Sequence, residues 1–178
     1  MSDALQALYA GEVESARELL PADDELTVFD TAAFGRVERL RELVSGDPSQ
    51  LSVPSEDGFT ALHLAVFAEQ EPAARLLIEH GADVEALSAG NIARVRPLGT
   101  AAFVRSVPMA RLLLDAGADV NGSGEGGFTA LHSAAQNGHE ELLRLLLERG
   151  ADPELELEDG RLPVDLASDE EVKRLLGS

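Results

Sequence analysis

The sequence predicts an all-α fold, a solenoid of stacked helix-turn-helix repeats with short hairpin-like finger loops. Two recurring motifs and the composition carry that expectation. Gly58-Phe59-Thr60-Ala61-Leu62-His63 recurs as Gly127-Phe128-Thr129-Ala130-Leu131-His132. Gly81-Ala82-Asp83 recurs as Gly117-Ala118-Asp119 and as Gly150-Ala151-Asp152. From Gly58 to Gly81 is 81 − 58 = 23 residues, and from Gly127 to Gly150 is again 23. The triplets step by 36 residues from Gly81 to Gly117 and by 33 from Gly117 to Gly150, so one loop carries three extra residues. A fixed period of this size marks repeats that can bury their apolar faces only against their neighbours. The 178 residues, 44% hydrophobic and 26% charged, have globular rather than disordered composition.

Taken in order, the repeats divide a single domain, 1–178, at about 1–25, 26–55, 56–91, 92–124, 125–157 and 158–178. The first is abbreviated: it keeps Gly11, Leu19 and Leu20, and Gly11 to Gly35 is 24 residues. The second keeps Ala32, Gly35, Leu40, Leu43 and Val44 without the six-residue motif. In the third, Thr60 suits an N-cap, and Leu62, Ala65 and Val66 lie at helical spacing. Pro72 suits the start of a second helix, Leu76, Leu77 and Ile78 its buried face, and Gly81 the left-handed residue that ends it. The fourth departs most. Arg96-Pro97-Leu98-Gly99 stands where the motif should be, Arg105 takes the place of the mid-repeat glycine, and the insertion falls between Leu87 and Val95. The fifth repeats the third. The last has Gly160-Arg161-Leu162-Pro163 and then a clipped helix from about Asp169 to Leu176. Degenerate, polar end repeats are what the caps of a solenoid require.

The Thr-Ala-Leu-His and Gly-Ala-Asp signatures at this period resemble those of ankyrin repeats, whose usual form is Thr-Pro-Leu-His. The resemblance covers nearly the whole chain and is sharpest in the third and fifth repeats. It implies a small bacterial-type ankyrin-repeat protein that binds a protein partner on a concave surface made by finger tips and the exposed face of each first helix. It also implies that His63 and His132 hydrogen-bond one turn region to the next.

Charge and composition exclude several functions. There are 33 acidic against 14 basic residues, a net charge of −19, and such a surface repels nucleic-acid backbones and anionic membranes. Without cysteine there is no disulfide, thiolate chemistry or cysteine-ligated metal. Met1-Ser2-Asp3-Ala4-Leu5-Gln6 has no basic n-region, so no secretory signal is expected, and no segment has the roughly 18 apolar residues of a membrane span. The expectation is therefore a cytoplasmic monomer without cofactor or metal.

The local motifs fit that expectation. Gly122-Ser123-Gly124-Glu125-Gly126-Gly127 matches G-x-G-x-x-G, but it follows a helix rather than a strand and carries an acid where phosphate would sit, so it reads as a finger loop. His63, His80, His132 and His139 show no zinc-ligand spacing. Arg17, Arg41, Arg75, Arg111, Arg144 and Lys173 recur along the second helices. Glu71 and Glu79 flank Arg75, Glu140 and Glu148 flank Arg144, and Asp115 follows Arg111, so i,i+4 pairing should neutralise the stripe. The acids of Glu154-Leu155-Glu156-Leu157-Glu158-Asp159 look solvated, with no burial to raise a pKa and no EF-hand spacing for calcium. No serine sits in a G-x-S-x-G elbow.

Two features are candidates for function. Phe67 and Phe103 are 36 residues apart at equivalent positions, Phe34 lies one position further on in its own repeat, and Phe59 and Phe128 both follow the finger glycine. They serve either as packing between repeats or as apolar anchors for a partner. Arg94, Arg96 and Arg105 concentrate in the irregular fourth repeat, either compensating local acids or selecting an acidic patch. The reading is a non-enzymatic protein-interaction module using Phe59, Phe67, Phe103, Phe128, Arg94, Arg96 and Arg105. The alternative is an acidic mimic or inhibitor of a basic or nucleic-acid-binding protein.

Overall fold

Several helices begin where the sequence supplies a capping side chain. In the computed structural model, which describes residues 2–90 and 94–177, Ser2 Oγ accepts from the Leu5 amide at 3.3 Å and Thr27 Oγ1 from the Asp30 amide at 3.2 Å. Asp169 likewise accepts from the amides of Glu171 and Val172. Satisfying the free amides of a first turn in this way contributes about 1 kcal/mol per cap.

The described residues form twelve α-helices and no strand. They group into two compact units, Met1–Ile92 and Ala93–Ser178. The first unit holds α1 (Asp3–Tyr9), α2 (Val13–Glu18), α3 (Val28–Ala33), α4 (Val37–Gly46), α5 (Ala61–Phe67) and α6 (Glu71–Glu79). The second holds α7 (Pro97–Phe103), α8 (Val107–Asp115), α9 (Ala130–Gln136), α10 (Glu140–Glu148), α11 (Pro163–Leu166) and α12 (Glu170–Leu176). Consecutive helices pair, and the odd-numbered helices pack side by side within each unit.

Small residues permit that close packing. Ala32, Ala61 and Ala65 in the first unit, and Ala101, Ala102, Ala134 and Ala135 in the second, are essentially inaccessible. The even helices add the bulk of the core through Leu40, Leu77, Leu113, Leu142, Leu143 and Leu146. Burying each such side chain contributes roughly 1.5–3 kcal/mol. Leu76 and Leu77 are core as expected, but Ile78 is only half-buried, because it lies at the edge of the apolar stripe of α6.

The α11–α12 turn has no left-handed residue, but in the other five of the six helix pairs the turn between the two helices holds one. Gly11, Gly35 and Gly138 fill it with φ of 79°, 65° and 64°, while Glu69 and Arg105 fill it at 54° and 60°. The insertion expected between Leu87 and Val95 lies partly outside the described residues, at 91–93.

Two of the expected pairs along the second helices form. Arg75 reaches Glu71 at 2.8 Å and Arg144 pairs with Glu140. Asp115 instead meets Arg149, at the end of α10, at 2.8 Å rather than Arg111 on its own helix.

Candidate protein-interaction surface

The first helices α1, α3, α5, α7 and α9 are short and each starts at an N-cap residue with extended backbone, so one position recurs on each of them. Seven residues beyond the caps Ser2, Thr27, Thr60, Arg96 and Thr129 stand Tyr9, Phe34, Phe67, Phe103 and Gln136. Counted from the cap, Phe34 is in register with Phe67 and Phe103. It is one position off only when counted from the left-handed residue, because α3 is six residues long where α5 and α7 are seven. Tyr9 is the member that residue spacing had not revealed. The available signal was Ser2, a capping serine seven residues upstream.

In the first unit Tyr9 brings two of the expected residues together. Its ring lies 5.2 Å from that of Phe67 at 68°, an edge-to-face contact, and 6.5 Å from that of Phe59. Tyr9, Phe34 and Phe59 pack around buried Leu5, Ala33 and Leu64. These rings are half-buried: they pack between repeats and keep an accessible edge. The Tyr9 hydroxyl and Asp57 Oδ2 are both buried, and neither makes a hydrogen bond of full geometry. Burial pushes the Tyr9 pKa up, and the neighbouring Asp57 carboxylate adds to the shift.

The second unit differs. Phe103 is 67% exposed at the end of α7. Phe128 is half-buried and packs on His132, with ring centroids 5.5 Å apart.

The paired histidines are structural in geometry. Thr60 Oγ1 lies 2.8 Å from His63 Nδ1, which also accepts the Thr60 amide at 3.3 Å. Thr129 and His132 repeat the arrangement at 2.8 Å and 3.3 Å. An Nδ1 that accepts an amide leaves the ring proton on Nε2. Burial lowers the His132 pKa, against opposing contributions from the backbone of Arg161 and Leu155. Among the described residues no three His, Asp or Glu side chains converge as a metal site.

The arginines of the fourth repeat do not form one cluster. Arg94 and Arg96 line the approach to α7, beside the glycine-rich finger. The Glu125 amide donates to the Arg94 carbonyl at 2.8 Å, and Arg96 Nε donates to the Ser123 carbonyl at 3.0 Å. A Cβ on Gly124 would come within 2.3 Å of the Arg94 carbonyl oxygen, so this glycine serves a close backbone approach. That accounts for part of the G-x-G-x-x-G match. Arg105 stands at the other end of α7, nine residues from Arg96, or about 13 Å of helical rise.

Paired short helices and backbone-linked fingers define an all-α helical repeat protein. The chain belongs to the ankyrin repeat family: the model for ankyrin repeats (3 copies) matches residues 3–88 and 89–156. It is 38% identical over 170 residues to ankyrin repeat and SOCS box protein 3 of Bos taurus, covering 89% of this chain and 32% of that protein. It is 32% identical over 156 residues to ankyrin repeat and SAM domain-containing protein 6 of Rattus norvegicus, covering 85% and 14%. A shorter stretch of 50 residues is 46% identical to the human tRNA endonuclease ANKZF1, covering 28% and 7%. The chain thus spans a third or less of the length of these relatives. Ankyrin repeats generally mediate protein–protein interaction. No helix among the described residues is long and apolar enough to cross a membrane.

Proposed function

We propose that this chain is a non-catalytic docking module that binds a protein partner across the exposed face of its first helices. The exposure of Phe103 carries this reading. It is a large aromatic side chain at the recurring aromatic position, with two thirds of its surface in water. Burying a phenylalanine fully contributes roughly 1.5–3 kcal/mol, enough to make it an anchor. Phe59 and Phe67 offer a second accessible aromatic edge beside Tyr9, and Phe128 supports the finger of the fifth repeat.

The test is capture of partners from lysate of the source organism, with wild type beside Phe103→Glu, at low and high salt. The expected result is a protein held by wild type and lost by the variant at both salt concentrations. A protein kept by the variant and released by salt would move binding to the acidic surface.

A further inference from the structure

The carboxylates of this chain are unevenly placed around Phe103. At the average density of 33 in 178, residues 94–114 should include about four, yet that stretch contains none and carries Arg94, Arg96, Arg105 and Arg111. Residues 126–139, which supply α9, also contain none. These two stretches build the paired first helices α7 and α9 of the second unit. Glu125 touches the patch, with Oε2 accepting from the Arg94 amide at 3.3 Å.

Resting on the docking reading above, we infer that the α7–α9 face binds an acidic segment of a partner protein, with one apolar side chain on Phe103 flanked by carboxylates. Both ends of α7 carry positive charge, Arg94 and Arg96 before it and Arg105 after it, with Phe103 between. Arg94 and Arg105 are exposed and form no ion pair among the described residues. The roughly 13 Å between the two ends matches about four residues of extended chain. A partner segment with two acids about four residues apart and a leucine, methionine or phenylalanine between them therefore meets all three features at once. A basic segment would meet like charge from these arginines. Charge complementarity of this kind selects the partner as well as speeding its arrival.

A library of random peptides displayed on phage and selected on the full chain tests this. Selected peptides would then be measured by fluorescence polarisation against wild type, Phe103→Ser, Arg105→Glu and, as a control on the outer helix, Arg111→Glu. Glu69 already occupies the same left-handed turn position as Arg105, so the fold accommodates a glutamate there. The inference expects selection of acids around one apolar residue, a loss of about tenfold or more for Phe103→Ser and for Arg105→Glu, and little change for Arg111→Glu. Basic or uncharged peptides that still depend on Phe103 would overturn the acidic partner and keep the docking reading. Peptides indifferent to Phe103, or no selection at all, would overturn both.

Discussion

Tyr9 stands edge-on to Phe67 with ring centroids 5.2 Å apart, joining the first repeat to the third across an aromatic contact. The preferred edge-to-face geometry of such pairs adds about 0.5–1.5 kcal/mol beyond the area they bury. A double-mutant cycle of Tyr9→Ala and Phe67→Ala, read by urea denaturation, should return a coupling in that range. Additive losses would mean that the two rings only share a surface.

The same tyrosine gives a spectroscopic handle, because it is the chain's sole tyrosine. Its pKa is raised in the fold by burial and by Asp57. Above the unfolded value of about 10, the unfolded chain loses a proton that the folded chain keeps, so stability should fall as pH rises through that region. Absorbance titration should show the native phenol ionising above pH 10 and returning to about 10 in denaturant. Tyr9→Phe should remove this contribution to alkaline destabilisation.

Glu69 and Arg105 hold left-handed backbone that costs a side chain about 1 kcal/mol or more. Glu69→Gly and Arg105→Gly should each raise the urea midpoint, despite the greater backbone freedom that glycine gives the unfolded chain. Unchanged or lowered midpoints would show that side-chain contacts outweigh the strain. For Arg105 the comparison also separates stability from binding, since the glycine variant should fold better and bind acidic peptides less.

His132 should make the second unit sensitive to mild acid. Its pKa is lowered by burial, so below about 6.5 the unfolded chain takes up a proton that the folded ring refuses. This contribution leaves stability unchanged above that pH and lowers it progressively as pH falls towards the native value. Denaturation of wild type and His132→Gln between pH 7.5 and pH 5 should show a steeper decline for wild type. Parallel curves would mean that the native ring titrates normally.

The sequence by itself determined the repeat period, the capping threonines, the leucine core of the even helices and the finger character of the glycine-rich run. These features rest on interactions a few residues apart: a cap reaches its own first turn, and a helical stripe follows its own period. It also placed Phe67 and Phe103 at one position, and read the clipped last repeat with its helix ending at Leu176. What it could not decide was which surface each repeated side chain meets. Only tertiary packing made Phe67 a partner of Tyr9 while leaving Phe103 in solvent, gave Asp115 to Arg149 instead of Arg111, and set Arg105 at the far end of α7 from Arg94 and Arg96. Residues identical in local register acquire different environments because their neighbours come from other repeats, and those long-range contacts set burial and charge.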